Sequence, residues 1–361
     1  MTKRKKILLA FSSLLGVLAL YLLLWPVPIE PEAWTPPVAP KLEGVYATNE
    51  RLSGVERLPA GAGHKPEGVA IDREGRIYSG MEDGQIVRWL PGGSGPEVFA
   101  KTGGRPLGME FDTDGILIVA DANKGLLSIS QQGAVTVLST EADGVPFRCT
   151  NDLDIAADGT IYFTDASSRF PLSVYKQDLF EHKPNGRLMA YEPQTKRTRI
   201  LLDKLYFANG VAISPDQSFV LLAETGKYRV LRVWLGGEKK NLTEIFIDNL
   251  PGFPDNISSN GNDKFWLALV TPRSPLLDKL LPRPFLRKVV LRLPEFLQPS
   301  PQRYGFVLGL NRDGEVVANL QDPSGQAFAL ISNVLEYQGK LYLGSIGEDS
   351  LGRIPVPTEG R

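Results

Sequence analysis

A phrase of about fifteen residues recurs six times along this chain, and no other feature restricts its fold so tightly. The copies read PEGVAIDREGRIYSG, PLGMEFDTDGILIVAD, TNDLDIAADGTIYFTD, ANGVAISPDQSFVLLAE, PDNISSNGNDKFWLAL and ISNVLEYQGKLYLGS. Each joins two runs rich in β-branched and aromatic residues through a short polar turn, the chemistry of a hairpin. Aligned on the second run, Glu67, Leu107, Asn151, Asn209, Asp255 and Ile331 share one phase, at intervals of 40, 44, 58, 46 and 76 residues. A strand-built repeat of about 40–50 residues is what a four-stranded propeller blade requires. Six copies therefore predict an all-β fold, a six-bladed β-propeller over residues 42–357. The stretched intervals predict insertions near 167–187 and 271–304. In the second, Leu276, Leu277, Phe285 and Leu286 interleave with Lys279, Arg283, Arg287, Lys288 and Arg292. That mixture fits a lid or a second membrane contact, and equally a helix packed on a propeller face with its basic residues solvated.

The residues before the repeats have a different character. Lys3, Arg4, Lys5 and Lys6 precede an uncharged run from Ile7 to Trp25. Nineteen residues of helix span roughly 28 Å, close to the hydrocarbon thickness of a bilayer. A cleaved signal peptide usually has a shorter apolar region and a small-residue cleavage site. This run ends instead in Tyr21, Trp25 and Pro26, so an uncleaved transmembrane signal-anchor at 7–25 is expected. By the positive-inside rule, residues 1–6 form a cytoplasmic tail and the propeller lies on the extracytoplasmic side of a single-pass membrane protein. Residues 26–41 hold six prolines and read as a semi-rigid spacer.

The repeat phase also indicates a site. Equivalent positions of successive blades converge on a propeller's axis, and four of the six in-phase residues, Glu67, Asn151, Asn209 and Asp255, carry oxygen. Burying two carboxylates together is costly unless a cation compensates. With only two histidines and one cysteine in 361 residues, a zinc site of His and Cys ligands or an iron–sulfur centre is out of reach. An oxygen-only set with two carboxylates and two amides suits Ca2+. Asn256, Asp152 and Ser332 stand one position further along and could complete the shell. His64 and His182 read as surface residues, and Cys149 as a buried inert thiol. The 40 basic and 41 acidic residues leave no polyanion-binding field, so no nucleic-acid partner is expected.

At NDLDIAADGTIYFTDASSRF, ANGVAISPDQSFVLLAET, PGFPDNI and ISNVLEYQGKLYLGS the chain resembles the calcium-dependent six-bladed propellers. That group includes gluconolactonases, paraoxonases, diisopropyl fluorophosphatase and the strictosidine-synthase-like proteins. The likeness runs over about residues 42–355 and is nearest to the branch that contains adipocyte plasma membrane-associated proteins. The resemblance implies a calcium ion held at Glu67, Asn151, Asn209 and Asp255, with Asn256 a further candidate, and hydrolysis of lactones or aryl esters. It also marks two departures. Ser332 stands where strictosidine synthase has its catalytic glutamate, and Leu107 where paraoxonases have the first of a histidine pair.

The expected function is a membrane-anchored, calcium-dependent hydrolase acting on a small-molecule ester or lactone. Asp255 is the expected catalytic carboxylate, with Glu67 the alternative. Two other readings are a non-catalytic propeller scaffold tethered to the membrane and a condensing enzyme of the strictosidine synthase kind.

Overall fold

The apolar runs of the repeats are too continuous for strands with one wet face: Phe219 to Ala223 reads FVLLA, and all five residues are buried. Strands of that kind need apolar neighbours on both sides. The computed structural model, which describes residues 2–61 and 63–357, provides them by arranging six four-stranded antiparallel sheets as blades around an axis. The innermost strands are Val69–Ile71, Pro106–Phe111, Thr150–Ile155, Ala208–Ile213, Gly252–Ser259 and Ile331–Tyr337. The predicted six-bladed propeller is thus the observed fold. Each seam between blades holds its own apolar cluster. Val220 and Leu222 face blade three beside Tyr162 and Leu188, while Phe219, Leu221 and Ala223 face blade five beside Phe265 and Leu267. Leu221→Ala should cost about 2–5 kcal/mol, read as a lower denaturant midpoint at unchanged slope, because the packed seam cannot collapse around the void.

The ring closes through a strand that the repeats do not announce. Glu56–Arg57, ahead of blade one in sequence, pairs with Gly352–Pro355 as the outermost strand of blade six. Two residues carry no periodicity, so this closure is invisible in the hydropathy pattern. The pairing register also corrects one in-phase assignment. Ile331 pairs with Ser345 as Thr150 pairs with Asp165 and Ala208 with Glu224, so Ser332, one residue later, is the blade-six counterpart of Asn151 and Asn209.

Both predicted insertions are present, and both connect the second strand of a blade to the third. The first contains the helix Tyr175–Glu181, and the second the helices Pro275–Leu280 and Pro284–Leu291. The basic residues of the second are not all solvated. Arg287 is fully buried and donates to the carbonyls of Phe180, Glu181 and Glu32; Arg292 is also buried.

An apolar helix, Lys3–Leu24, begins the described chain, and none of its residues is buried. It takes in the basic cluster that was expected to form a tail. Its last carbonyls are capped by the second insertion: Arg292 donates to Trp25 O at 2.6 Å and to Leu22 O at 2.8 Å, and Tyr21 Oη donates to Arg292 O at 3.1 Å. A guanidinium at a helix C-terminus also complements the helix dipole. The proline-rich segment is no free spacer. Glu32 N donates to Glu181 O, Trp34 N donates to Leu281 O, and Ile29 is 1% exposed in an apolar cluster with Phe180, Leu277 and Leu281.

His182 is buried, against the expectation of a surface position, because that segment covers it. The ring stacks on Trp34 at 4.5 Å and lies 4.8 Å from Tyr206, and its Nε2 has no hydrogen-bond partner. Burial, with Lys227 and Arg287 nearby, pushes its pKa down to about 3. The folded state therefore refuses a proton that the unfolded chain accepts below about pH 6.5, so this group's contribution to stability is lost as pH falls from there toward 3. At pH 5 the loss is about 2 kcal/mol. Asp178, whose carboxyl burial raises to about 6, acts in the opposite direction over part of that window. The readout is thus a difference: His182→Asn, compatible with the left-handed backbone here (φ 52°), should show a shallower fall in Tm between pH 7 and 4.5 than the parent chain. Parallel curves would remove His182 as the cause.

Candidate metal centre

Five of the six innermost strands carry a β-bulge at one place, between Pro106 and Met109, Thr150 and Leu153, Ala208 and Val211, Pro254 and Ile257, and Ile331 and Asn333. The in-phase residues Leu107, Asn151, Asn209 and Asp255 fall inside these bulges. A bulge releases a residue from the ladder and re-aims its side chain, here toward the axis. Asn151, Asn209 and Asp255 accordingly line one cavity of about 660 Å³, joined by Glu67 from the segment just ahead of the unbulged strand Val69–Ile71.

The acids that end the second strand of three repeats have a structural task. Asp121, Asp165 and Glu224 accept backbone N–H groups of Arg105, Cys149 and Tyr206 at 2.9, 2.8 and 2.8 Å, holding the loops that lead into the innermost strands. Asp165 and Glu224 are further paired with Arg187 and Arg229 at 2.6 Å each. The repeated Asp or Glu of the phrase is thus part of the frame around the site.

Within the cavity the polar atoms are incompletely satisfied. Asn151 Oδ1 and Asn209 Oδ1 are buried without a hydrogen-bond partner. Asp255 is 6% exposed, and its carboxyl pKa is raised well above the ordinary value, first by burial and then by Glu67. The Glu67 carboxyl is also raised by burial, a shift that Arg105 opposes with a hydrogen bond of 2.7 Å to Oε2. Two desolvated carboxylates beside two unpartnered amide oxygens form a donor set that fits a hard cation. Among the described residues no three His, Cys, Asp or Glu side chains form a metal cluster, and the amides are what complete this set.

Not every candidate reaches the cavity. Asn256 is not among the wall residues, yet it is 1% exposed with both amide atoms unpartnered, as the Oδ1 atoms of Asn151 and Asn209 are, and so stays a further candidate for the ion's shell. Asp152 serves as a bracket between blades, accepting Val211 N at 2.9 Å, and burial pushes its pKa up to about 8. Ser332 is fully buried with Oγ unpartnered. His64 lies on the surface against Asp349, and Cys149 is buried with its thiol pKa pushed up. Arg105 was not anticipated. It occupies the loop before blade two, the blade whose in-phase residue Leu107 offers no oxygen, and a lone arginine before a strand carries no pattern. The remaining wall is mostly apolar, from Leu172, Tyr175 and Leu179 of the first insertion, Phe207 and Phe253 of the blades and Leu277 of the second insertion.

Comparison with known proteins agrees with the six-bladed fold. The family model of strictosidine synthase matches residues 151–238, and that of the strictosidine synthase-like N-terminal region matches 44–89. Strictosidine synthase-like 7 of Arabidopsis thaliana is 37% identical over 315 residues, covering 85% of this chain and 83% of that protein. The chain belongs to the strictosidine synthase-like family. The rat (Rattus norvegicus) adipocyte plasma membrane-associated protein, another relative, is 35% identical over 372 aligned positions covering 97% of this chain and 98% of its own length. That alignment takes in the N-terminal helix as well as the propeller. Among solved structures, a gluconolactonase from Xanthomonas campestris aligns with a TM-score of 0.62 at 17% identity, covering 92% of this chain and 99% of that one. The calcium-binding protein regucalcin from Agrobacterium tumefaciens aligns with a TM-score of 0.59 at 14% identity, covering 83% and 92%. At such identities these two share the fold of this strictosidine synthase-like chain.

Proposed function

We propose that the protein is a membrane-anchored, calcium-dependent hydrolase of esters or lactones. One observation carries this reading: two carboxylates and two unpartnered amide oxygens meet in a 660 Å³ cavity with largely apolar walls. Glu67, Asn151, Asn209 and Asp255 would hold the ion, which when bound supplies Lewis-acid polarisation of a carbonyl oxygen. Gluconolactonase and calcium-binding regucalcin share the propeller, which favours both the ion and the reaction class.

Asp255 is the carboxylate suited to the chemistry. Glu67 is held and partly neutralised by Arg105 at 2.7 Å, which makes it the weaker base. Asp255 has no such arginine and can take a proton from a water. Tyr175, Phe207 and Phe253 form a surface against which the aryl or acyl part of a substrate would pack. Ser332 offers no carboxylate where the resemblance to strictosidine synthase implies a catalytic glutamate, which disfavours a condensing reaction.

The test is turnover of an aryl ester and lactone panel by the full chain in detergent, with calcium and after chelation. Turnover that disappears on chelation and returns with calcium is expected. Calcium-dependent thermal stabilisation without turnover would identify a scaffold, and joining of an amine to an aldehyde a condensing enzyme. The adipocyte plasma membrane-associated relative and the unburied 22-residue helix support the anchor, and the basic cluster at its start favours a cytoplasmic N-terminus with the propeller extracytoplasmic. Alkaline carbonate should leave the protein in the membrane pellet; release into the supernatant refutes the anchor.

A further inference from the structure

The second insertion has two faces with different partners. Inward, Leu277, Leu280 and Leu281 are buried against the propeller and the 26–41 segment, and Arg287 is fully buried. Outward, Leu276 is 54% exposed, Phe285 54%, Leu286 41%, Phe296 84% and Leu297 55%. Apart from the N-terminal helix, the described chain has no other such concentration of large exposed apolar side chains in one segment. The outward face also bears Lys279 and Arg283, both exposed and, among the described residues, without a carboxylate in ion-pair range, while Glu295 is paired with Lys176 at 2.8 Å. Apolar side chains bordered by cations are the composition of a segment lying in a lipid headgroup region.

The position of this face identifies its occupant. Arg292, one residue beyond the helix Pro284–Leu291, holds the carbonyls of Leu22 and Trp25, and Tyr21 bonds back to Arg292. The outward face is therefore joined directly to the end of the apolar helix. If that helix spans the membrane, its C-terminal end sits at the bilayer surface. The same insertion supplies part of the cavity wall through Ser274, Leu277, Ser300 and Gln302.

We propose that the outward face of residues 275–300 lies on the bilayer surface from which the Lys3–Leu24 helix emerges, with the cavity's rim at the lipid interface. The inference rests on the membrane-anchor reading. Its consequence is a substrate class: amphiphiles that partition into the membrane enter the cavity from the headgroup layer, an acyl or aryl group leading.

Depth-dependent quenching tests this. The full chain is reconstituted into phosphatidylcholine vesicles containing a minority of phosphatidylglycerol, with or without brominated acyl chains. Single labels are placed by Phe285→Cys, Phe296→Cys and Ser300→Cys, with Leu15→Cys inside the helix and Val137→Cys on the blade-two rim as references. Cys149, 1% exposed, stays unlabelled. Brominated lipid should reduce emission at 285, 296 and 300 about twofold or more, as at 15, and leave 137 unchanged. Quenching at 15 with none at 285, 296 and 300 overturns the proposal and leaves the anchor standing. Absence of quenching at 15 overturns the anchor, and the proposal with it.

Discussion

Asp255→Asn should lower ester and lactone turnover by about 10²–10⁴-fold, the usual worth of a positioned general base, and should reverse its effect on stability when calcium is removed. The two expectations share one cause. Asp255 and Glu67 are 6% exposed in the same cavity, so without a cation each carboxylate is desolvated and repelled by the other. Asn has the same shape without the charge. In chelator the variant should therefore melt at a higher temperature than the parent chain. With saturating calcium it should melt lower, because a ligand that binds only the folded state stabilises in proportion to its affinity and the variant has lost a charged ligand. Glu67→Gln should lose less turnover than Asp255→Asn, since it leaves the main base in place. Melting curves with and without calcium, beside the ester assay, separate the roles. Unchanged turnover in Asp255→Asn removes it from the mechanism, and a variant that is less stable in chelator refutes the electrostatic account.

How much of this was legible in sequence differs by element. The blades were, because six hairpins in phase reflect a property of each strand, its alternation and its turn. The convergence of Glu67, Asn151, Asn209 and Asp255 on one cavity was legible for the same reason, as they inherit the phase. What the phase could not convey was direction. Asn256 and Asp152 are each one residue from a ring position, yet a bulge sends one to an unpartnered buried spot and the other to Val211 N. Arg105, the partner of Glu67, comes from a loop outside the repeat and leaves no periodic trace. The docking of 26–41 depends on contacts such as Trp34 with His182 and Arg287 with Glu32, between residues far apart in sequence. Proline content describes a stiff segment equally well whether it stands in solvent or lies on a surface, so composition alone read it as a spacer.

The largest structural loss is expected from the smallest change, Gly344→Ala. A Cβ at Gly344 would sit 1.7 Å from the carbonyl oxygen of Glu67, where blade six meets blade one. Similar approaches continue around the axis: a Cβ at Gly68 would be 1.9 Å from Leu107 O, one at Gly108 2.1 Å from Asp152 Oδ1, and one at Gly210 2.5 Å from Asn256 Cα. Most of these obstacles are backbone, which cannot rotate aside as a side chain can. Glycine at these places therefore sets how closely the innermost strands approach, and with it the separation of the oxygens they carry. Alanine at 344 must displace either the blade-six strand Lys340–Ser345 or the Glu67 peptide. The cost should be at least about 3 kcal/mol, at the severe end of overpacking, or roughly 4–5 °C in Tm for a domain of this size. Because the displaced peptide is that of Glu67, the Tm gain on adding calcium should shrink as well. Gly54→Ala is the control: nothing lies within 4 Å of its Cβ, and its effect should stay within about 0.5 kcal/mol. If Gly344→Ala keeps both the parental Tm and the parental calcium response, the strands are free to relax outward, and the axis is not sized by its glycines.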